Sequence, residues 1–123
     1  MRILLIEDDD VVAGLVAGYM REARHEVAHA ADGQEGLARA STGIFDVMIF
    51  DRQLPGGVDG AELLRRLRAR HVNTPVLFLS ALGGLKDWVA GLEAGGDDYI
   101  AKPFHCSELL SRVEALHQRH AAA

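Results

Sequence analysis

Apolar and polar positions along the chain switch repeatedly between a strand-like run and a helical period. Residues 3–6, ILLI, are a short apolar run of the kind that forms a strand buried on both faces. Val11, Val12, Leu15, Val16, Tyr19 and Met20 then recur at helical spacing. Asp9 or Asp10 can cap that helix, where negative charge suits the dipole. The same exchange follows four more times. A weaker strand over 26–30 precedes a short helix over 34–40. A strand over 47–50 precedes a helix over 61–70 with Leu63, Leu64 and Leu67 inward. A strand over 76–79, opened by Pro75, precedes a helix over 85–94 that stops at Gly95-Gly96. A strand over 99–101 precedes a helix over 108–118 with Leu109, Leu110, Val113 and Leu116 inward. Five such units predict a parallel sheet with helices on both faces, and right-handed crossovers leave few topologies. No repeat, low-complexity tract or linker interrupts the series, and the terminal HAAA reads as frayed.

Composition changes this picture little. The 123 residues suit one domain, and 49% hydrophobic with 25% charged residues is an ordinary globular balance. No apolar run approaches the roughly 20 residues of a membrane span. The first ten residues, MRILLIEDDD, turn acidic too early for a secretory signal. Cys106 is the only cysteine, so an internal disulfide is excluded and a cytoplasmic setting fits. A formal net charge of −5 disfavours bare electrostatic binding of nucleic acid by this segment.

Chemistry gathers at the strand ends. In open parallel sheets, ligands bind outside the carboxyl ends of the strands. Here the first predicted strand ends in Glu7-Asp8, the third in Asp51, the fourth in Ser80 and the fifth in Lys102. Any one of these alone reads as a helix cap or a solvated loop charge. Independent caps have no reason to deliver acids, a hydroxyl and a lysine to one edge. Three clustered carboxylates repel: at an effective dielectric near 20, one pair at about 4 Å costs about 4 kcal/mol. A magnesium ion relieves that repulsion and bridges to phosphate. Lys102 and Ser80 suit phosphoryl oxygens, and Asp51 suits the nucleophile of an acyl phosphate.

Four stretches, ILLIEDD, DVMIFDRQLPGGVDG, PVLFLSA and GGDDYIAKPF, in this order and spacing, resemble the receiver domain of bacterial two-component response regulators. The match covers nearly the whole chain. It implies an α/β, flavodoxin-like (CheY-like), doubly wound five-stranded parallel sheet of order 2-1-3-4-5. It implies that Asp51 accepts a phosphoryl group from a sensor histidine kinase, with Mg2+ held by Glu7, Asp8, Asp51 and the Gln53 carbonyl. By the same resemblance Lys102 pairs with the phosphate, Ser80 and Tyr99 form the switch, and backbone N–H groups of Gln53 and Ala81 complete the cradle. The Lys102-Pro103 bond is expected to be cis. The chain is then a switch with slow self-dephosphorylation rather than a metabolic enzyme.

The stretch DDYIAKPF resembles the OmpR/PhoB-like subfamily, whose receivers precede a winged-helix DNA-binding domain. No such domain lies in residues 1–123, so DNA contact would need a further segment; a single-domain phosphorelay carrier is the alternative. In that subfamily a homodimer face pairs charges at positions matching Asp97, Asp98, Glu108 and Arg112. Trp88 departs from the pattern, standing where a basic partner for Glu108 is usual. LPGGVDG carries one residue more than the commoner LPGMDG. Other features read blandly. Arg65, Arg66, Arg68 and Arg70 suit a solvated helix face, His117 and His120 a surface, Cys106 an inert thiol, and Tyr99 equally a core aromatic. Gln53 removes the second acid of an Asp-x-Asp phosphohydrolase, and Glu7 to Asp10 occupy the place of a flavodoxin phosphate loop.

Overall fold

The structure is a computed structural model that describes residues 1–81 and 85–122, without the side chains at 57 and 85–88. Five strands form the main sheet: β1 Arg2–Ile6, β2 Glu26–Ala30, β3 Val47–Asp51, β4 Val76–Ser80 and β5 Asp98–Ala101. Five helices alternate with them: α1 Asp10–Glu22, α2 Gly33–Ala40, α3 Gly60–Ala69, α4 Leu85–Glu93 and α5 Cys106–Ala122. All neighbouring strands pair in parallel, in the order β2-β1-β3-β4-β5 that the resemblance implied.

Strand alternation divides the core into two layers. Leu4, Ile6, Met48, Phe50, Val76, Phe78 and Tyr99 face α2, α3 and the end of α4. Ile3, Leu5, Val47, Ile49, Leu77, Leu79 and Ile100 face α1 and α5. Every β3 and β4 residue is buried, as expected of central strands covered on both faces. In α1 only part of the apolar pattern turns inward. Val16 and Met20 are buried, whereas Val11 and Leu15 remain 72% and 63% exposed.

Local chemistry sets the helix boundaries. Asp9, rather than Asp10, caps α1 by accepting from the N–H groups of Val11 and Val12. Asp32 caps α2 and Asp59 caps α3 in the same way. The helix α5 starts two residues before the expected 108 and runs through Ala122, so His120, Ala121 and Ala122 are helical. A feature absent from the pattern reading is a small antiparallel hairpin between β3 and α3. Gln53 pairs with Asp59 and Leu54 with Val58 around a 3-10 turn at Pro55–Gly57.

Arg68 corrects another reading. Its neighbours Arg65 and Arg66 lie on a solvated face, but Arg68 is 21% exposed and donates to three backbone carbonyls. Those are Val72 at 2.9 Å, Thr74 at 2.7 Å and Gly95 at 2.9 Å. It also pairs with Asp97 at 3.4 Å, tying the loop before β4 to the loop before β5. Gly95, at φ 105°, leaves room for the Arg68 stem against its backbone.

Candidate functional site

Strand register brings the expected polar residues to one edge. Ile6 of β1 lies beside Phe50 of β3, so Glu7 and Asp51 are the next residues outward on adjacent strands. Asp51 lies beside Leu79 of β4, and Ser80 beside Ala101 of β5, so Lys102 leaves the sheet at the same edge. The β1 end and the β3 end are central in the sheet, which buries Glu7 fully and leaves Asp51 5% exposed.

Lys102 holds the two buried acids together. Its ammonium donates to Glu7 Oε1 at 2.6 Å and to Asp51 Oδ2 at 3.2 Å. The Lys102-Pro103 bond is cis, as expected. Burial opposes the Lys102 charge, but the Glu7 hydrogen bond and the Asp51 charge outweigh it and raise its pKa. Glu7 moves the other way from an ordinary carboxylate: burial, with the adjacent Asp51, raises it from 4.5 to about 7 despite Lys102. The Glu7 backbone is pinned as well. Its N–H donates to Ala30 O at 3.1 Å, and its carbonyl contacts His29 Nε2 at 2.6 Å. One lysine therefore does not relieve the acid cluster.

The cluster itself is compact. Carboxylate oxygens of Glu7, Asp8 and Asp51 lie within 4.8 Å of one another, with Asp8 exposed at the mouth. Among the described residues no other group of three His, Cys, Asp or Glu converges in this way. His117 and His120 do share a groove with His71 and Asp46, which the sequence reading did not foresee. An all-oxygen, acid-rich and incompletely neutralised donor set fits a hard divalent cation such as magnesium.

The Gln53 N–H donates to Asp51 Oδ1 at 3.0 Å, so it points at the carboxylate expected to accept the phosphoryl group. Ser80 is buried next to it in sequence register, and its carbonyl accepts from Lys102 N–H at 2.7 Å. Ala81 is exposed at the same edge. Tyr99 is 1% exposed, its ring centroid 6.3 Å from that of Phe78, which meets the expectation of a core aromatic.

The expected dimer-face charges find partners inside the chain. Arg112 pairs with Asp98 at 3.1 Å and with Glu108 at 3.2 Å. Asp97 binds Arg68 and accepts from Val76 N–H at 2.9 Å. The Trp88 side chain lies outside the described residues.

Two neighbours of the site escaped sequence reasoning. Arg52, directly after Asp51, is buried and grips Asp59 through two nitrogens, at 2.8 and 3.1 Å. An arginine interrupting an otherwise apolar strand end was the available signal. Burial disfavours the Asp59 charge, but hydrogen bonds from Arg52 and Ala61 prevail and lower its pKa.

Comparison with known proteins agrees with this geometry. Residues 3–114 match the family model described as the response regulator receiver domain. The transcriptional regulatory protein TcrA of Mycobacterium tuberculosis is 43% identical over 119 residues, 97% of this chain and 47% of TcrA. The regulatory protein VanRB of Enterococcus faecalis is 41% identical over 122 residues, 99% of this chain and 54% of VanRB. The chain thus spans about half the length of these curated relatives. The Francisella response regulator 1452 receiver domain superposes with TM-score 0.91 at 37% identity, covering 97% of this chain and 98% of that one. The receiver domain of sensor histidine kinase PA1611 from Pseudomonas aeruginosa PAO1, described with a magnesium ion coordinated in its active-site cleft, gives TM-score 0.85 at 30% identity, covering 95% and 97%. With a family model over most of its length and an acid cleft closed by Lys102, this chain belongs to the response regulator receiver domain family.

Proposed function

We propose that the chain accepts a phosphoryl group on Asp51 from the phosphohistidine of a sensor kinase and relays that event through its α4-β5-α5 face. The observation that carries this reading is the convergence of Lys102, Glu7 and Asp51 in one buried cleft with the Gln53 N–H on the acceptor. An Asp51 carboxylate oxygen attacks phosphorus, the phosphorus–nitrogen bond breaks, and the imidazole leaves with its electron pair. Lys102 and the Gln53 N–H offset charge on the phosphoryl oxygens, and the packed strand ends hold Asp51 in position. Glu7, Asp8, Asp51 and the Gln53 carbonyl are the groups to hold magnesium, which when bound supplies charge neutralisation between acids and phosphate. In this reading the chain is a slowly self-dephosphorylating switch rather than a metabolic enzyme. The kinase partner has a suitable apolar strip beside the cleft, where half-buried Val12 and exposed Leu15 adjoin Pro103 and Phe104.

The output follows from packing. Phosphate on Asp51 draws the Ser80 hydroxyl, and the neighbouring Phe78–Tyr99 pair and Gly91 of α4 repack in response. Because Tyr99 is already buried, the response is a repacking of interior rings rather than entry of an exposed ring. An OmpR/PhoB-like assignment, a winged-helix output beyond this segment and a cytoplasmic site are supported by relatives named as transcriptional regulators and about twice as long. No helix among the described residues is long and apolar enough to cross a membrane. An activated homodimer through the Arg112 face would have to exchange own-chain pairs for cross-chain ones. The test is phosphorylation by a small acyl-phosphate donor with magnesium: one phosphoryl group on the parent and none on Asp51→Asn support the reading. Labelling that persists on Asp51→Asn and maps elsewhere contradicts it.

A further inference from the structure

Directly after the acceptor, Arg52 does something the family-level reading leaves unassigned. Its guanidinium is 5% exposed and grips both carboxylate oxygens of Asp59, at 2.8 and 3.1 Å. The same guanidinium lies 5.7 Å from the centroid of the Phe78 ring. Its backbone is tied on both sides, with Arg52 N–H donating to Leu79 O at 2.9 Å and Gly60 N–H donating to Arg52 O at 2.8 Å. Asp59 in turn caps α3 through Ala61 N–H at 2.9 Å and pairs with Gln53 in the short hairpin. The Arg52–Asp59 fork therefore closes the loop that carries both Gln53 groups of the proposed site, the N–H on Asp51 and the carbonyl that the resemblance assigns to the metal.

We infer that Arg52 is a positioning residue that locks the loop after β3 through Asp59, so that Gln53 is held for cation and phosphoryl binding. This inference rests on the proposed reading of the site. Charge and positioning make opposite predictions. Removing a nearby cation should tighten binding of a dication if Arg52 acts only through its field. Loss of a support behind a ligand group typically weakens metal binding about 10–100-fold.

The probe is magnesium alone, titrated onto the full chain by calorimetry, with the Gln53 amide followed by NMR. Arg52→Met should weaken magnesium binding by roughly 10-fold or more and shift the Gln53 amide out of its carboxylate-bonded position. Asp59→Asn keeps a competent helix cap but loses the ion pair, so it should show the same Gln53 shift. Arg52→Lys keeps the charge without the fork and should fall between parent and Arg52→Met. The double variant Arg52→Met, Asp59→Asn should be no worse than the weaker single one. Tighter or unchanged magnesium binding in folded Arg52→Met overturns the inference, as does an unmoved Gln53 amide in Asp59→Asn. A parent that binds no magnesium overturns the reading of the site itself, and the inference falls with it.

Discussion

Glu7 links stability, pH and metal in one measurable quantity. Burial holds its folded-state pKa at about 7, against 4.5 unperturbed. The folded protein therefore holds this proton more tightly than the unfolded chain. The associated stability is fully present below about pH 4.5, is lost as pH rises toward 7, and is gone above that. The full difference corresponds to about 3 kcal/mol. For a domain of this size that is on the order of 10 °C in Tm. Glu7→Gln removes the titration while keeping shape and neutrality. Parent and Glu7→Gln should thus lie within about 1 kcal/mol of each other near pH 5, and the parent should become the less stable by roughly 3 kcal/mol at pH 8 without metal. Urea denaturation of both proteins across pH 5–8 is the assay, and the difference between them cancels the histidines. Magnesium at pH 8 should restore much of the parent's deficit, because the ionised Glu7 then has a partner. The reasoning is refuted if the gap between parent and variant does not widen between pH 5 and pH 8.

Asp8→Asn should abolish the rise in Tm that magnesium gives the parent, and its metal-free form should be as stable as the parent or more so, since one like charge leaves the cluster. Arg68→Ala should cost about 2–3 kcal/mol in urea, because three half-buried carbonyl bonds are lost, whereas Arg65→Ala on the exposed Glu62 pair should cost below about 0.5 kcal/mol. Gly60→Ala should lose stability by about 1–3 kcal/mol and slow phosphorylation, because its added methyl group meets the Asp51 carbonyl oxygen; thermal melts and intact mass check both.

Much of the fold was written in periodicity, and the reason is physical. Strands covered on both faces, such as VMIFD and VLFLS, must be continuously apolar, and the helices between them must show one apolar face. The site was legible because parallel strands deliver their next residues to a shared edge, which placed Glu7, Asp51, Ser80 and Lys102 before any geometry was known. The sequence was silent where the outcome depends on tertiary partners. Arg68 shares a helix face pattern with Arg65 and Arg66, and only the carbonyls of Val72, Thr74 and Gly95 distinguish it. Arg52 drew no reading from the sequence, because its partner Asp59 meets it only once the short hairpin folds back. Val11 and Leu15 obey the helical period yet stay exposed, because α1 has more apolar surface than the sheet covers.

The central claim is that Asp51 is the acceptor in a cleft completed by Lys102 and magnesium. Intact-mass measurement after incubation with an acyl-phosphate donor tests it most directly, on the parent, Asp51→Asn and Lys102→Ala, with magnesium and with chelator. The account predicts a single added phosphoryl group on the parent with magnesium, none on Asp51→Asn, and little on the parent with chelator or on Lys102→Ala. Undiminished phosphorylation of Asp51→Asn, or of the parent under chelator, would contradict it.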